Sequence, residues 1–308
     1  MGSVIKKIYK ENMNLSADQS QPQLKISHIN HLGGKIRKTS VSSLRCKKNI
    51  IEAIHAVCPH VTNLKARVQD ADMENMVVLK HLNSVELLFN VGRPTSPALG
   101  TASFFQCLGS NLTSVALICS AISMLHIQML GKNCPNLASL WLRSNHFQVA
   151  KGSRDELPED IPSNHNGFRK LKTLYFRVGE GELALTFVPE YVLSYILKNA
   201  CDLTQLKIAL RSYVINDNYI CGLLIDSCLY KLEKLLIVVP GVNNLPGVLK
   251  LTMQTVEFVV NFCSSIKSLG NVLSWDVLKT DEEFVKLKRK INEENLDLDL
   301  ICRHMVMH

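Results

Sequence analysis

Apolar residues recur along this chain in a mixed spacing. In LASLWLRSN, residues 137–145, they fall at the first, fourth and sixth positions as Leu137, Leu140 and Leu142, and Asn145 closes the stretch. A helix repeats every 3.6 residues and a half-buried strand every two, so neither alone gives this pattern. The same spacing returns at Val61, Leu64 and Ala66, and at Leu82, Val85 and Leu87, where Asn90 follows. It returns again at Leu112, Val115 and Leu117, and at Leu171, Leu174 and Phe176. Further copies are Leu203, Leu206 and Ile208, then Leu232, Leu235 and Ile237. A last copy opens at Ile266 and Leu269 and then degrades, and a weak early one lies at Ile36, Thr39 and Val41. Successive starts from 61 to 266 are 21 to 34 residues apart, in or near the range of repeat architectures.

Between the copies lie segments of helical period. NIIEAIHAVC, AISMLHIQMLGKNC, EYVLSYILKNAC, ICGLLIDSC and QTVEFVVNFC carry apolar residues near i, i+3, i+4 and i+7. They end at Cys58, Cys134, Cys201, Cys228 and Cys263, shortly before the next apolar triplet. Pro59 and Pro135 follow two of these cysteines and stop the helix, because proline cannot extend the hydrogen-bond ladder. One unit therefore reads as strand, turn, helix, cysteine.

With these residues the chain resembles a leucine-rich repeat protein over roughly residues 36–275. The cysteine ahead of the strand, as in NCPNLASLWL, is similar to the cysteine-containing subclass. That subclass forms the repeat solenoid of F-box adaptor proteins. The resemblance implies an α/β leucine-rich-repeat solenoid of about eight irregular repeats. Its curved parallel sheet would line the concave side and its helices the convex side. Strand leucines would stack in a core shared between neighbours. Asn145 is expected where the chain turns from the strand, its amide satisfying freed backbone groups. Only two copies keep this asparagine; Gln69, Ser120, Gly179, Arg211, Pro240 and Ser274 stand elsewhere, so a continuous asparagine ladder is not expected.

Three regions are expected along the chain. Residues 1–30, with SADQSQPQ, read as a poorly ordered basic lead-in. Residues 31–275 read as the solenoid, with a surface insertion at 151–167 and a turn-rich stretch at 92–100. Residues 276–308 read as a C-terminal capping helix, with Thr280 and Glu283 as a capping box and Phe284, Leu287 and Ile291 on one face.

Composition narrows the function classes. The 308 residues are 46% hydrophobic and 20% charged, which suits a packed fold. No apolar run has the length of a membrane span, and the start lacks a secretory apolar core. A cytoplasmic or nuclear location with reduced thiols is therefore expected, without a membrane partner. Net charge is +8, and residues 1–65 hold 11 Lys/Arg against 3 Asp/Glu, so the remainder is balanced. That basic segment makes nucleic-acid binding one alternative function.

Candidate chemistry is sparse. No phosphate loop, nucleophile elbow, zinc-protease motif or Cys-x-x-Cys pair occurs, so no catalytic, cofactor or metal site is expected, nor is an enzyme. Asp155, Glu156, Glu159 and Asp160 read as a solvated acidic patch. LPEDI, 157–161, echoes the opening of an F-box, but Pro162 breaks the helix that should follow, and the match falls inside the solenoid.

Side chains alternate along a strand, so the residues between the strand leucines face away from the core. That places Trp141 beside Tyr175 and Arg143 beside Arg177, with Lys207 in the next repeat. Lys65, Arg67 and Glu86 extend one end, while Leu236 and Val238 make the other apolar. Exposed aromatic and arginine residues dominate interface energetics. The favoured reading is a non-enzymatic module that binds a protein partner, one with an acidic segment, on this face. The F-box resemblance implies a substrate-recognition subunit of a ubiquitin ligase, with ligase components as partners, as the other alternative.

Overall fold

Parallel strands alternating with helices make up the chain, as the mixed apolar spacing requires. The computed structural model describes residues 31–32, 35–36, 38–89, 99–148, 167–179, 188–210, 215–227, 229–239, 249–270, 272–277, 282–294 and 297–301. The expected lead-in, the acidic patch, LPEDI, Asn90, Arg211, Pro240, Cys228, Thr280 and all of the 151–167 insertion but Gly167 lie outside these residues. The chain forms two compact units, Met1–Ile118 and Cys119–His308.

In the first unit a short antiparallel pair, β1 (His31–Leu32) and β2 (Lys35–Ile36), precedes the repeats. Strands β3 (Lys38–Arg45), β4 (Asn63–Val68), β5 (Ser84–Phe89) and β6 (Ser114–Ser123) then pair in parallel and in sequence order. Helix α1 (Lys48–Val57) joins β3 to β4, and α2 (Asp70–Met73) with a 3-10 turn joins β4 to β5. Helix α3 (Leu99–Leu108) precedes β6. Thr39 and Val41 stand in register with Leu64 and Ala66, so the weak early copy is a repeat strand.

The second unit holds α4 (Met124–Asn133), β7 (Ser139–Gln148), β8 (Thr173–Val178), α5 (Val188–Asn199) and β9 (Gln205–Ala209). It continues with α6 (Asp217–Ile225), β10 (Lys234–Val238), α7 (Met253–Phe262), β11 (Ser268–Gly270), α8 (Glu282–Glu293) and β12 (Asp299–Ile301). Strands β7 to β12 again pair in parallel and in sequence order. Parallel crossovers are right-handed, so within each unit the described helices between strands lie on one side of the sheet. Among the described residues the other face carries no helix. This is an α/β leucine-rich-repeat solenoid.

The triplets found in the sequence are the core. Leu140, Leu174, Leu206, Leu235 and Leu269 form one row of register partners and are all buried. The first residue of each triplet closes a turn with the same main-chain hydrogen bond. Its N–H donates to the carbonyl three residues earlier, in the pairs Val61–Cys58, Leu82–Leu79, Leu112–Gly109, Leu137–Cys134, Leu171–Phe168, Leu203–Ala200, Leu232–Leu229 and Ile266–Cys263. Cysteine fills this turn at 58, 134 and 263, where it also ends the preceding helix. In the repeat where Cys201 was expected, Ala200 takes the place and Cys201 lies one residue beyond it. Phe168 holds the turn at φ 67. A side chain on Gly167 would strike the Gly131 backbone at 2.7 Å, so the preceding helix packs directly on this turn.

Element boundaries differ from the periodicity at the capped ends. Residues 121–123 continue β6 and are not helical. Ser123 then caps α4, its backbone N–H donating to His126 Nδ1 at 3.3 Å. Helix α6 starts earlier than expected because Asn216 Oδ1 accepts from the Tyr219 N–H at 2.9 Å. Helix α3, whose first two residues fall in the stretch read as turn-rich, has its N-terminal donors satisfied by an earlier repeat. Asp70 accepts from the N–H groups of Gly100 (3.1 Å) and Thr101 (2.8 Å) and from the Thr101 hydroxyl (2.7 Å). The second unit repeats this clasp. Asp217 accepts from the Thr252 N–H and hydroxyl, both at 2.9 Å, and from the Thr255 hydroxyl. After α8, whose Phe284 is buried, β12 adds a further strand to the ladder.

Candidate functional site

The helix-free face of the second unit carries two rows of side chains. The first runs Trp141, Tyr175, Lys207, Leu236 and the second Arg143, Arg177, Ala209, Val238, each residue in register with the next. Neighbours within a row sit on strands about 4.8 Å apart, and the rows are two residues apart along the strands. Register alone brings Trp141 to Tyr175 and Arg143 to Arg177, as the sequence predicts.

The rings of Trp141 and Tyr175 meet edge to face, with centroids 4.9 Å apart at 61°. Such a pair contributes about 0.5–1.5 kcal/mol beyond its burial. Lys207 Nζ lies 5.0 Å from the Tyr175 ring centroid on the opposite flank, a cation–π contact. The two neighbours enclose the tyrosine. Trp141 keeps 47% of its surface exposed, whereas Tyr175 keeps 8%. The expectation that both aromatics are exposed is therefore corrected for Tyr175. It packs with Ala209 and Val238 in a small apolar cluster, with Leu236 partly buried against it. Ala209 was missed in the sequence. Its signal was its place beside Arg177, where a small residue lets the tyrosine and Val238 close over it.

Charge on this face is one-sided. Strands β7, β8, β9 and β10 read SLWLRSNHFQ, TLYFRV, QLKIA and KLLIV, with no Asp or Glu. Arg143 is exposed, and Arg177 and Lys207 are half-buried. The Nε of Arg177 is buried without a hydrogen-bond partner among the described residues. Desolvation lowers the Lys207 pKa from its ordinary value, and the charge of Arg177 lowers it further. Both effects oppose keeping the ammonium charged, and among the described residues no carboxylate offsets them.

Lys65, Arg67 and Glu86 lie in the first unit. Lys65 and Glu86 are register partners on β4 and β5 and form an ion pair at 2.5 Å. Arg67 is exposed, with Leu88 as its register partner. The carboxylate expected within the patch thus neutralises Lys65, and an ion pair this exposed contributes about 0–1 kcal/mol.

Asn145 is an exposed residue of β7, which runs on to Gln148, so the expected turn away from the strand at Asn145 is corrected. Its amide oxygen occupies the space a side chain at position 179 would need, which accounts for Gly179 in the next repeat. Other polar pairs support the scaffold. Arg45 binds Asp72 through Nε at 2.7 Å and Nη2 at 3.1 Å, and Asp72 also accepts from the Gln69 N–H at 2.8 Å. Among the described residues, no group of three or more His, Cys, Asp or Glu side chains is placed to hold a metal ion, and no helix is long and apolar enough to cross a membrane.

No family model matches the chain. No curated protein matches it. Among solved structures, the chain is similar to the complex of Rad7 and Elc1 in yeast, at 16% identity, covering 82% of this chain and 67% of that chain, with a TM-score of 0.47. It is also similar to an internalin, InlF, from Listeria monocytogenes, at 10% identity, covering 84% of this chain and 70% of that chain, with a TM-score of 0.32. The parallel ladder and its repeated turn define the class of fold directly.

Proposed function

We propose that this leucine-rich-repeat protein is a non-enzymatic interaction module that binds a protein partner on the helix-free face of its second unit. The carrying observation is Trp141. It is a large aromatic, 47% exposed, fixed by an edge contact to a buried tyrosine and flanked by arginines. Rigid aromatics beside arginine are the side chains on which binding energy concentrates. We also place the repeats in the cysteine-containing subclass, on the strength of Cys58, Cys134 and Cys263 at their helix ends.

The test is affinity purification of the tagged chain and its Trp141→Ala variant from native cells, with co-purifying proteins identified by mass spectrometry. At least one protein retained by the parent and lost by the variant is the expected result. The variant should stay folded, losing about 1 kcal/mol of stability with the aromatic pair. Identical sets of proteins from both chains would overturn the reading. Cullin and the F-box-binding adaptor among the retained proteins would establish its narrower form, a substrate receptor of a ubiquitin ligase.

A further inference from the structure

The two units treat the same register position differently. On the first, Lys65 stands beside Glu86 and is neutralised within the chain. On the second, Lys207 stands beside Tyr175 and a half-buried arginine. The four strands that build this face contribute Arg143, Arg177, Lys207 and Lys234 and no acid. None of Arg143, Arg177 and Lys207 makes an ion pair among the described residues, whereas Lys65, Lys198, Lys231 and Lys267 each do. Half-buried like charges held side by side are costly in the free protein, and an opposite charge brought by a ligand removes that cost.

The geometry fixes where that charge belongs. Arg143 and Arg177 are register partners at the spacing of adjacent strands, about 4.8 Å. One row back stands Trp141, 47% exposed. An apolar side chain laid on Trp141 sets the next part of the same segment over the two guanidinium groups. Planar guanidinium groups bind carboxylates through paired N–H donors. We infer that the partner presents a polypeptide segment in which an apolar residue is followed closely by carboxylates, the apolar residue seated on Trp141 and the carboxylates on Arg143 and Arg177.

This inference rests on the face being a protein-binding surface, and the experiment separates the two. A random peptide library displayed on phage is selected against the full chain and against its Trp141→Ala and Arg143→Glu/Arg177→Glu variants. The expected result is enrichment of Asp and Glu next to a large apolar residue. Those peptides should bind the Trp141 variant at least about tenfold more weakly. The charge-reversed variant should lose them and favour Lys and Arg. Enriched apolar peptides without acids, lost on Trp141→Ala, would overturn the carboxylate assignment and leave the binding face standing. Enriched peptides indifferent to Trp141, or no enrichment at all, would overturn both. Circular dichroism of each variant confirms that a loss of binding is not a loss of fold.

Discussion

Trp141 and Tyr175 touch, and they do different work. The tryptophan is the exposed member, and the tyrosine is enclosed by Trp141 and Lys207 over a floor of Ala209 and Val238. Truncating Tyr175 to alanine should therefore cost about 3–5 kcal/mol, as for other buried aromatics. Urea denaturation of Tyr175→Ala and Trp141→Ala measures the contrast. Equal losses from the two would mean that the tyrosine is not enclosed. The pairing of these residues was legible in the sequence, because the triplet register fixes which side chains stand side by side. Burial was not legible, because it depends on three other strands closing around one ring. The role of Asn145 was misread for a related reason. The repeat resemblance put a turn at Asn145, yet the strand continues and the amide abuts Gly179.

Helices in this fold are started by their predecessors as well as by their own residues. Asp70 and Asp217 are the first residues of α2 and α6, and each carboxylate holds the beginning of the next full helix. A helix leaves its first N–H groups without internal partners, and these two acids supply acceptors from about 30 residues upstream. Asp217→Ala should cost about 2–3 kcal/mol, since it strands a backbone donor and two hydroxyls. Hydrogen exchange should quicken first at residues 252–256. A stability change under about 0.5 kcal/mol, the scatter of ordinary surface substitutions, would refute the clasp. The repeat strands and most helices were readable from local periodicity; β1, β2 and β12, the last within the stretch read as a capping helix, were not. Helix α3 was not, because the carboxylate that holds its first donors, Asp70, lies about 30 residues earlier in the chain.

Across the whole molecule, the thiols tie stability to alkaline pH. Burial pushes Cys134 up to about 12 and Cys263 up to about 11; burial, helped by the charge of Asp72, pushes Cys46 up to about 12. The unfolded thiol titrates near 9.0. The folded chain thus holds these protons to higher pH than the unfolded chain does. Their contribution is complete below pH 9 and is lost as pH rises from there towards 12. Each thiol should remove about 1.4 kcal/mol per pH unit from about pH 9 up to its own folded pKa, about 11 for Cys263 and about 12 for Cys46 and Cys134. Urea midpoints measured between about pH 8 and pH 10.5 should fall, and Cys134→Ala should flatten the slope. A midpoint independent of pH over this range would show that the thiols are not held in the core.

The turn before each repeat strand places little demand on the side chain that carries it. Its defining bond joins two main-chain atoms, an N–H and a carbonyl three residues apart, and it forms over Cys58, Leu79, Gly109, Cys134, Phe168, Ala200, Leu229 and Cys263 alike. A main-chain bond sets no letter at its position; it sets only a shape that a thiol, an aliphatic group, a ring or a bare hydrogen can satisfy. The segments are therefore equivalent in their main-chain bonding and free to differ in side chain at this position. One main-chain hydrogen bond, recurring eight times among the described residues over five residue types, thus keeps successive strands in step where the side chains beneath it differ.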